Sequence, residues 1–147
     1  MSVRRILAAV GLSVEWRRLR YYRDFANYVM LAIAMKNVRL TTQEIEQIIA
    51  AGVTTLGENL REVRLYGSRC DLEKAGGDID LIFEIQEASN DKFLDIQRLR
   101  SELVRRLGEQ KFDILIICEN KYFNSERENN FYELISKKSK ILWTTND

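Results

Sequence analysis

The sequence predicts an α/β (α+β) protein, a small mixed β-sheet with helices packed against it. Three observations point that way. The runs DIDLIFEI at 78–85 and KFDILIIC at 111–118 have the length and apolar content of buried strands. Between and around them, apolar residues recur at the three- and four-residue steps of helices with one buried face. Glycines and capping residues fall at the borders, where changes of conformation need them.

The elements follow in order. MKNVRLTTQEIEQIIAAGVTTLGENL, from Met35, reads as a polar lead-in, a capping box from Thr41 to Glu44, and a helix. Ile45, Ile48, Ile49, Leu56 and Leu60 are expected on its apolar side. VRLYGS at 63–68 is a short strand ending at a glycine, and DIDLIFEI is the second strand. SNDKFLDIQRLRSELVRRLG at 89–108 predicts a helix with Phe93, Ile96, Leu99, Leu103 and Leu107 in one stripe and Gly108 as its stop. KFDILIIC, nearly all apolar, is the third strand and is expected at the centre of the sheet. SERENNFYELISKK at 125–138 is a final helix, and KILW at 140–143 suits a short edge strand.

Ahead of these lies a segment of different character. Residues 1–34 carry six arginines against Glu15 and Asp24, whereas residues 35–147 carry 17 basic and 20 acidic side chains. Trp16, Leu19, Tyr22, Phe25, Val29 and Ile33 form an aromatic-rich helical stripe there, which suits a packing face against the same chain or a partner. The expected division is a basic helical extension at 1–34 and a functional domain at 35–147.

Composition removes several classes of function. Of 147 residues, 46% are hydrophobic and 31% charged, the balance of a soluble globular chain. A net charge of +1 gives no strong signal for nucleic acid or for a membrane surface. No apolar run approaches the roughly 20 residues that span a bilayer. The absence of histidine excludes a Ser-His-Asp triad, a histidine base and histidine-ligated zinc. Cys70 and Cys118 form no paired motif, which fits reduced thiols and a cytoplasmic location.

The chemistry therefore has to run on carboxylates and hydroxyls, with lysine or arginine. Asp78 and Asp80, one residue apart on a strand, point the same way with Cα atoms about 7 Å apart. Asp113 stands near the start of the third strand, so all three carboxylates converge if those strands are neighbours. Gathered acids repel one another, and a divalent cation relieves the penalty. Oxygen-only donors suit Mg²⁺ or Mn²⁺, which expect a phosphorylated ligand. Gly67 and Ser68 then offer a turn whose N–H groups can meet phosphate oxygens, with the charge of Arg69 beside them. The loop is neither a Walker A loop nor a dinucleotide-binding fingerprint. Taken singly, a Gly-Ser pair is more often a plain turn, and an Asp-x-Asp a solvated strand end. Their joint order and spacing favour a site.

With YGSR at 66–69, GGDIDLIFEI at 76–85 and GEQKFDILI at 108–116, the chain resembles the minimal nucleotidyltransferases of the DNA polymerase β-like superfamily. The likeness runs from about Met35 to Trp143. It implies the polymerase β-like nucleotidyltransferase fold and two divalent ions held by Asp78, Asp80 and Asp113. It also implies that Asp113 helps to deprotonate an acceptor hydroxyl, and that Gly67 and Ser68 hold the β- and γ-phosphates. Transfer of AMP from ATP, with release of pyrophosphate, is the implied reaction. Many members of the family are antitoxins encoded beside a helical HEPN protein, some adding AMP to a tyrosine of that toxin. A non-catalytic binding module and a small-molecule nucleotidyltransferase completed by homo-oligomerisation are the alternatives. Cys70 stands where a small apolar residue is expected.

Overall fold

The computed structural model describes residues 37–118 and 126–145. The helix expected within residues 1–34 and the domain boundary at residue 35 lie outside them.

Helix α1 (Thr42–Leu56) starts where the sequence places its cap. The Thr41 hydroxyl accepts from the Glu44 N–H at 3.1 Å, and the Glu44 carboxylate accepts from the Thr41 N–H at 3.4 Å. Such a reciprocal cap is worth about 1 kcal/mol. Ile45, Ile48 and Ile49 are fully buried, and Leu56 packs beside them. Leu60 departs from expectation. Gly57 takes a φ of 57° and ends the helix, so Leu60 instead opens strand β1 (Leu60–Tyr66), where it is buried. A helical spacing carried past a glycine had mimicked a longer helix.

β1 lies antiparallel to β2 (Ile79–Ile85), which lies parallel to β3 (Phe112–Cys118). Helix α2 (Lys92–Leu107) makes the crossover that a parallel pair requires. Asp91 caps it, accepting from the Leu94 N–H at 3.0 Å, and Gly108 at φ 83° terminates it. Helix α3 (Glu126–Lys138) leads to β4 (Lys140–Thr144), which pairs antiparallel with the other side of β1. The sheet is mixed, in the order β3-β2-β1-β4. The small mixed sheet with packed helices expected from the sequence is therefore present. Among the described residues, no helix is long and apolar enough to cross a membrane.

β3 was expected at the centre and stands at an edge. Its apolar content has another cause, since both of its faces are covered. Ile114 and Ile116 join the cluster under α1 and α2, while Ile117 joins a second cluster under α3. A strand's apolar run reports covered faces, and says nothing about how many neighbours flank it.

The two faces are unequal. Toward α1 and α2, Val63, Leu65, Leu81 and Phe83 meet Ile45, Ile48, Leu99 and Leu103 in the main core. Each such side chain contributes about 1.5–3 kcal/mol on burial. Phe93, placed in the α2 stripe by its spacing, is 72% exposed, and the stripe is fully buried only farther along, at Leu99 and Leu103. On the reverse face, Tyr66, Ile82 and Ile117 form a small cluster with Tyr132 and Ile135 of α3.

Candidate active site

Strand alternation sorts β2 into two sets. Ile79, Leu81, Phe83 and Ile85 face the main core, and Asp80 therefore falls on the α3 side, ahead of Ile82. The parallel register of β2 and β3 puts Asp80 directly opposite Asp113, at a strand spacing of about 4.8 Å. Asp78 lies just before β2, at the same end of the sheet. This pairing brings Asp80 and Asp113 together, while Asp78 stands outside the ladder.

The Gly67–Cys70 turn overlooks the pair. It is a single four-residue 3₁₀ turn, not the start of a longer helix, so any donors it offers are individual amides and not a helix dipole. Gly67 has a φ of 74°, and a Cβ there would lie 2.1 Å from Asp80 Oδ2. The Asp80 carboxylate is seated against bare glycine backbone, a place that no other residue leaves open. Gly77 plays the matching part for Ser68, since a Cβ on Gly77 would lie 2.3 Å from Ser68 Oγ. The Ser68 hydroxyl thus reaches across to the strand-side end of the loop, next to Asp78.

Electrostatics reflect this crowding. Burial pushes the Asp80 carboxyl up to about 6, with Asp113 and then Asp78 adding to the shift and Lys111 opposing it. Burial also raises the Tyr66 phenol above its ordinary range, helped by the charges of Asp113 and Asp80 and by a hydrogen bond to Asp113. Tyr66 stands opposite Asp80 on β1. Its ring is in the small cluster, with its hydroxyl directed to the carboxylates.

Asp78 has a separate partner, for Lys111 Nζ sits 3.2 Å from its Oδ2. Among the described residues, no group of three acidic or cysteine side chains is arranged to hold a metal ion. In charge and donor type the carboxylates suit a hard cation, with Asp80 and Asp113 adjacent and Asp78 turned to the lysine.

Arg69 is also engaged. It donates to the carbonyls of Arg39 at 3.1 Å and Gly77 at 3.3 Å, and lies 4.0 Å from Glu44. It braces the loop from behind. The Cys70 thiol donates to the Leu65 carbonyl at 3.0 Å and packs on the main core, where burial raises it above its ordinary range. It fills the place of a small apolar residue.

Sequence reading named Gly67, Ser68, Arg69, Asp78, Asp80 and Asp113 and missed Tyr66, Lys111 and Arg39. Tyr66 could have been found from the strand alternation that places it at the end of β1. Lys111 precedes Asp113 by two residues, a spacing that carries no signal alone. Arg39 sits in the lead-in to α1, yet donates to carbonyls of Ser68, Asp71 and Gly76.

No protein-family model matches the chain, and no curated protein matches it. Among solved structures, a proposed nucleotidyltransferase from Sulfolobus solfataricus is similar at 18% identity and a TM-score of 0.42. The match covers 69% of this chain and 84% of that one. A likeness at this level is one of outline, and brings no residue role or activity to this chain.

Proposed function

We propose that the chain is a metal-dependent nucleotidyltransferase of the polymerase β-like fold, moving AMP from ATP to a hydroxyl acceptor. The observation that carries this is Asp80 facing Asp113 across the β2–β3 pairing, beneath a turn whose glycine makes room for the Asp80 carboxylate. Asp80 and Asp113 would hold Mg²⁺ or Mn²⁺, two ions in all, with Asp78 joining once its carboxylate leaves Lys111. When bound, such ions supply charge neutralisation at the attacking and leaving oxygens of an in-line displacement.

The chain's own residues do the rest. Gly67 and Ser68 hold the β- and γ-phosphates through loop amides and the serine hydroxyl. Arg69 contributes its charge from behind the loop. Asp113, exposed on an edge strand, is open to an acceptor on that side and takes the proton of its hydroxyl. A bond forms between that oxygen and the α-phosphorus as the bond to pyrophosphate breaks. The acceptor proposed, from the resemblance, is a tyrosine of a HEPN-family partner that this chain neutralises as an antitoxin in the cytoplasm.

The test is incubation with labelled ATP and Mg²⁺, with and without a protein encoded beside it. Label transferred by the native chain and lost in Asp80→Asn and Asp113→Asn supports the reading. No transfer under any of these conditions would overturn it.

A second reading, a non-catalytic binding module, is favoured by one observation, the engagement of Asp78 with Lys111. It predicts that Asp80→Asn leaves neutralisation of a partner intact.

A further inference from the structure

Resting on the nucleotide reading of the 67–78 loop, we infer that Arg39 is a positioning residue that turns the loop's amides toward the phosphates of the ligand. Its guanidinium is the hub of the loop. Arg39 Nε donates to the Asp71 carbonyl at 3.0 Å, and one terminal nitrogen donates to the carbonyls of Ser68 at 3.2 Å and Gly76 at 2.7 Å. The main chain completes the join, with the Arg39 N–H donating to the Arg69 carbonyl at 2.8 Å and Arg69 returning a bond to the Arg39 carbonyl.

These contacts have a consequence fixed by peptide geometry. In a planar trans peptide the C=O and the following N–H point in opposite directions. Drawing the Ser68 and Gly76 carbonyls onto one cation therefore turns the N–H groups of Arg69 and Gly77 away from it. Two amides from opposite ends of the loop are thereby turned to the side away from Arg39, one within the 3₁₀ turn that follows Gly67-Ser68 and the other beside Asp78. Outward-facing amides from a folded loop are the elements of an anion-binding concavity. Gly76 at φ 62° and Gly77 at φ 98° let the chain adopt this arrangement at one end. A guanidinium suits the task because its rigid fork serves several carbonyls together, where an ammonium offers a compact point charge.

The ligand chemistry is a polyphosphate, and the probe is inorganic tripolyphosphate with Mg²⁺. The full chain, labelled with ¹⁵N, is titrated as the native protein and as Arg39→Lys, Arg39→Met and Arg106→Lys. Arg106 donates to Gln47 at 2.9 Å and joins the two helices over the main core, so it controls for a loss of stability alone. The expected result is movement of the Arg69 and Gly77 amide signals in the native chain and in Arg106→Lys. Both Arg39 variants should lose that response, with affinity weakened about tenfold, as befits losing charge-assisted bonds that hold a loop. Arg39→Lys keeps the charge, so retention of native affinity in it overturns the inference while leaving the nucleotide reading intact. If Arg39→Met fails to fold, Arg39→Lys against Arg106→Lys decides the matter. No response of the native chain to tripolyphosphate or ATP overturns the nucleotide reading, and the inference falls with it.

Discussion

Asp80 and Asp113 are partners in a parallel ladder, like charges held on the same face of adjacent strands by the backbone bonds of β2 and β3. Neither can withdraw without breaking the register that also buries Ile79, Leu81 and Phe83. The repulsion is thus built into the fold, and several measurable properties depend on it.

The first is the pH dependence of stability. The Asp80 carboxyl titrates near 6 in the folded chain, above its ordinary 3.8, so folding favours its protonated form. That contribution is fully present below about pH 3.8 and is lost as pH rises through about 6. Asp80→Asn removes the ionised group, and should stabilise the chain at pH 8 by about 1 kcal/mol after allowance for solvent screening. At pH 4 it should change little. Thermal unfolding at the two pH values checks this, and an equal shift at both would contradict it.

A divalent cation should relieve the same repulsion. Mg²⁺ or Mn²⁺ is expected to raise the unfolding temperature at pH 8 and to do so less at pH 5, where Asp80 is largely protonated. Binding at a hundredfold excess over Kd is worth about 2.7 kcal/mol. Asp113→Asn should abolish the effect. Equal stabilisation of native and variant chains would place the cation elsewhere.

Gly67 and Gly57 provide a matched pair. Both have positive φ, but a Cβ on Gly67 meets Asp80 at 2.1 Å whereas one on Gly57 meets nothing within 4 Å. Each alanine substitution costs about 1–3 kcal/mol of backbone strain. Only Gly67→Ala should also displace the Asp80 carboxylate, reducing nucleotide transfer by about a hundredfold or more. Circular dichroism and the labelled-ATP assay separate the two effects.

Lys111→Met releases Asp78. The ion pair is mostly exposed, with the lysine side chain at 79%, so stability should change by less than about 0.5 kcal/mol. Mn²⁺ should bind several-fold more tightly, because a competing cation has gone. Weaker binding instead would mean that the ammonium assists the ligand.

What the sequence made legible was local. The Thr41–Glu44 cap, the Gly108 stop and the alternation that sets Asp80 apart from Ile79 and Leu81 all depend on neighbours within a few residues. The paired position of Asp113 needed only the guess that two strands adjoin. What escaped depends on distant chain. Arg39 meets carbonyls 29 to 37 residues away, and no periodicity announces such a contact. The edge position of β3 was hidden because α2 and α3 cover its faces, and coverage alone makes a strand apolar. Leu60 was misplaced because its spacing suits a helix that Gly57 had already ended.

The inequality of the two sheet faces has one more consequence. The side that keeps the chain folded lies under α1 and α2, while the carboxylates lie on the thinner side, toward α3. Inheritance can therefore experiment with one without gambling the other. Variation in ligand preference should accumulate along the inner surface of α3, while Asp80 and Asp113 stay fixed by their chemistry and Ile48, Phe83 and Leu99 by packing alone.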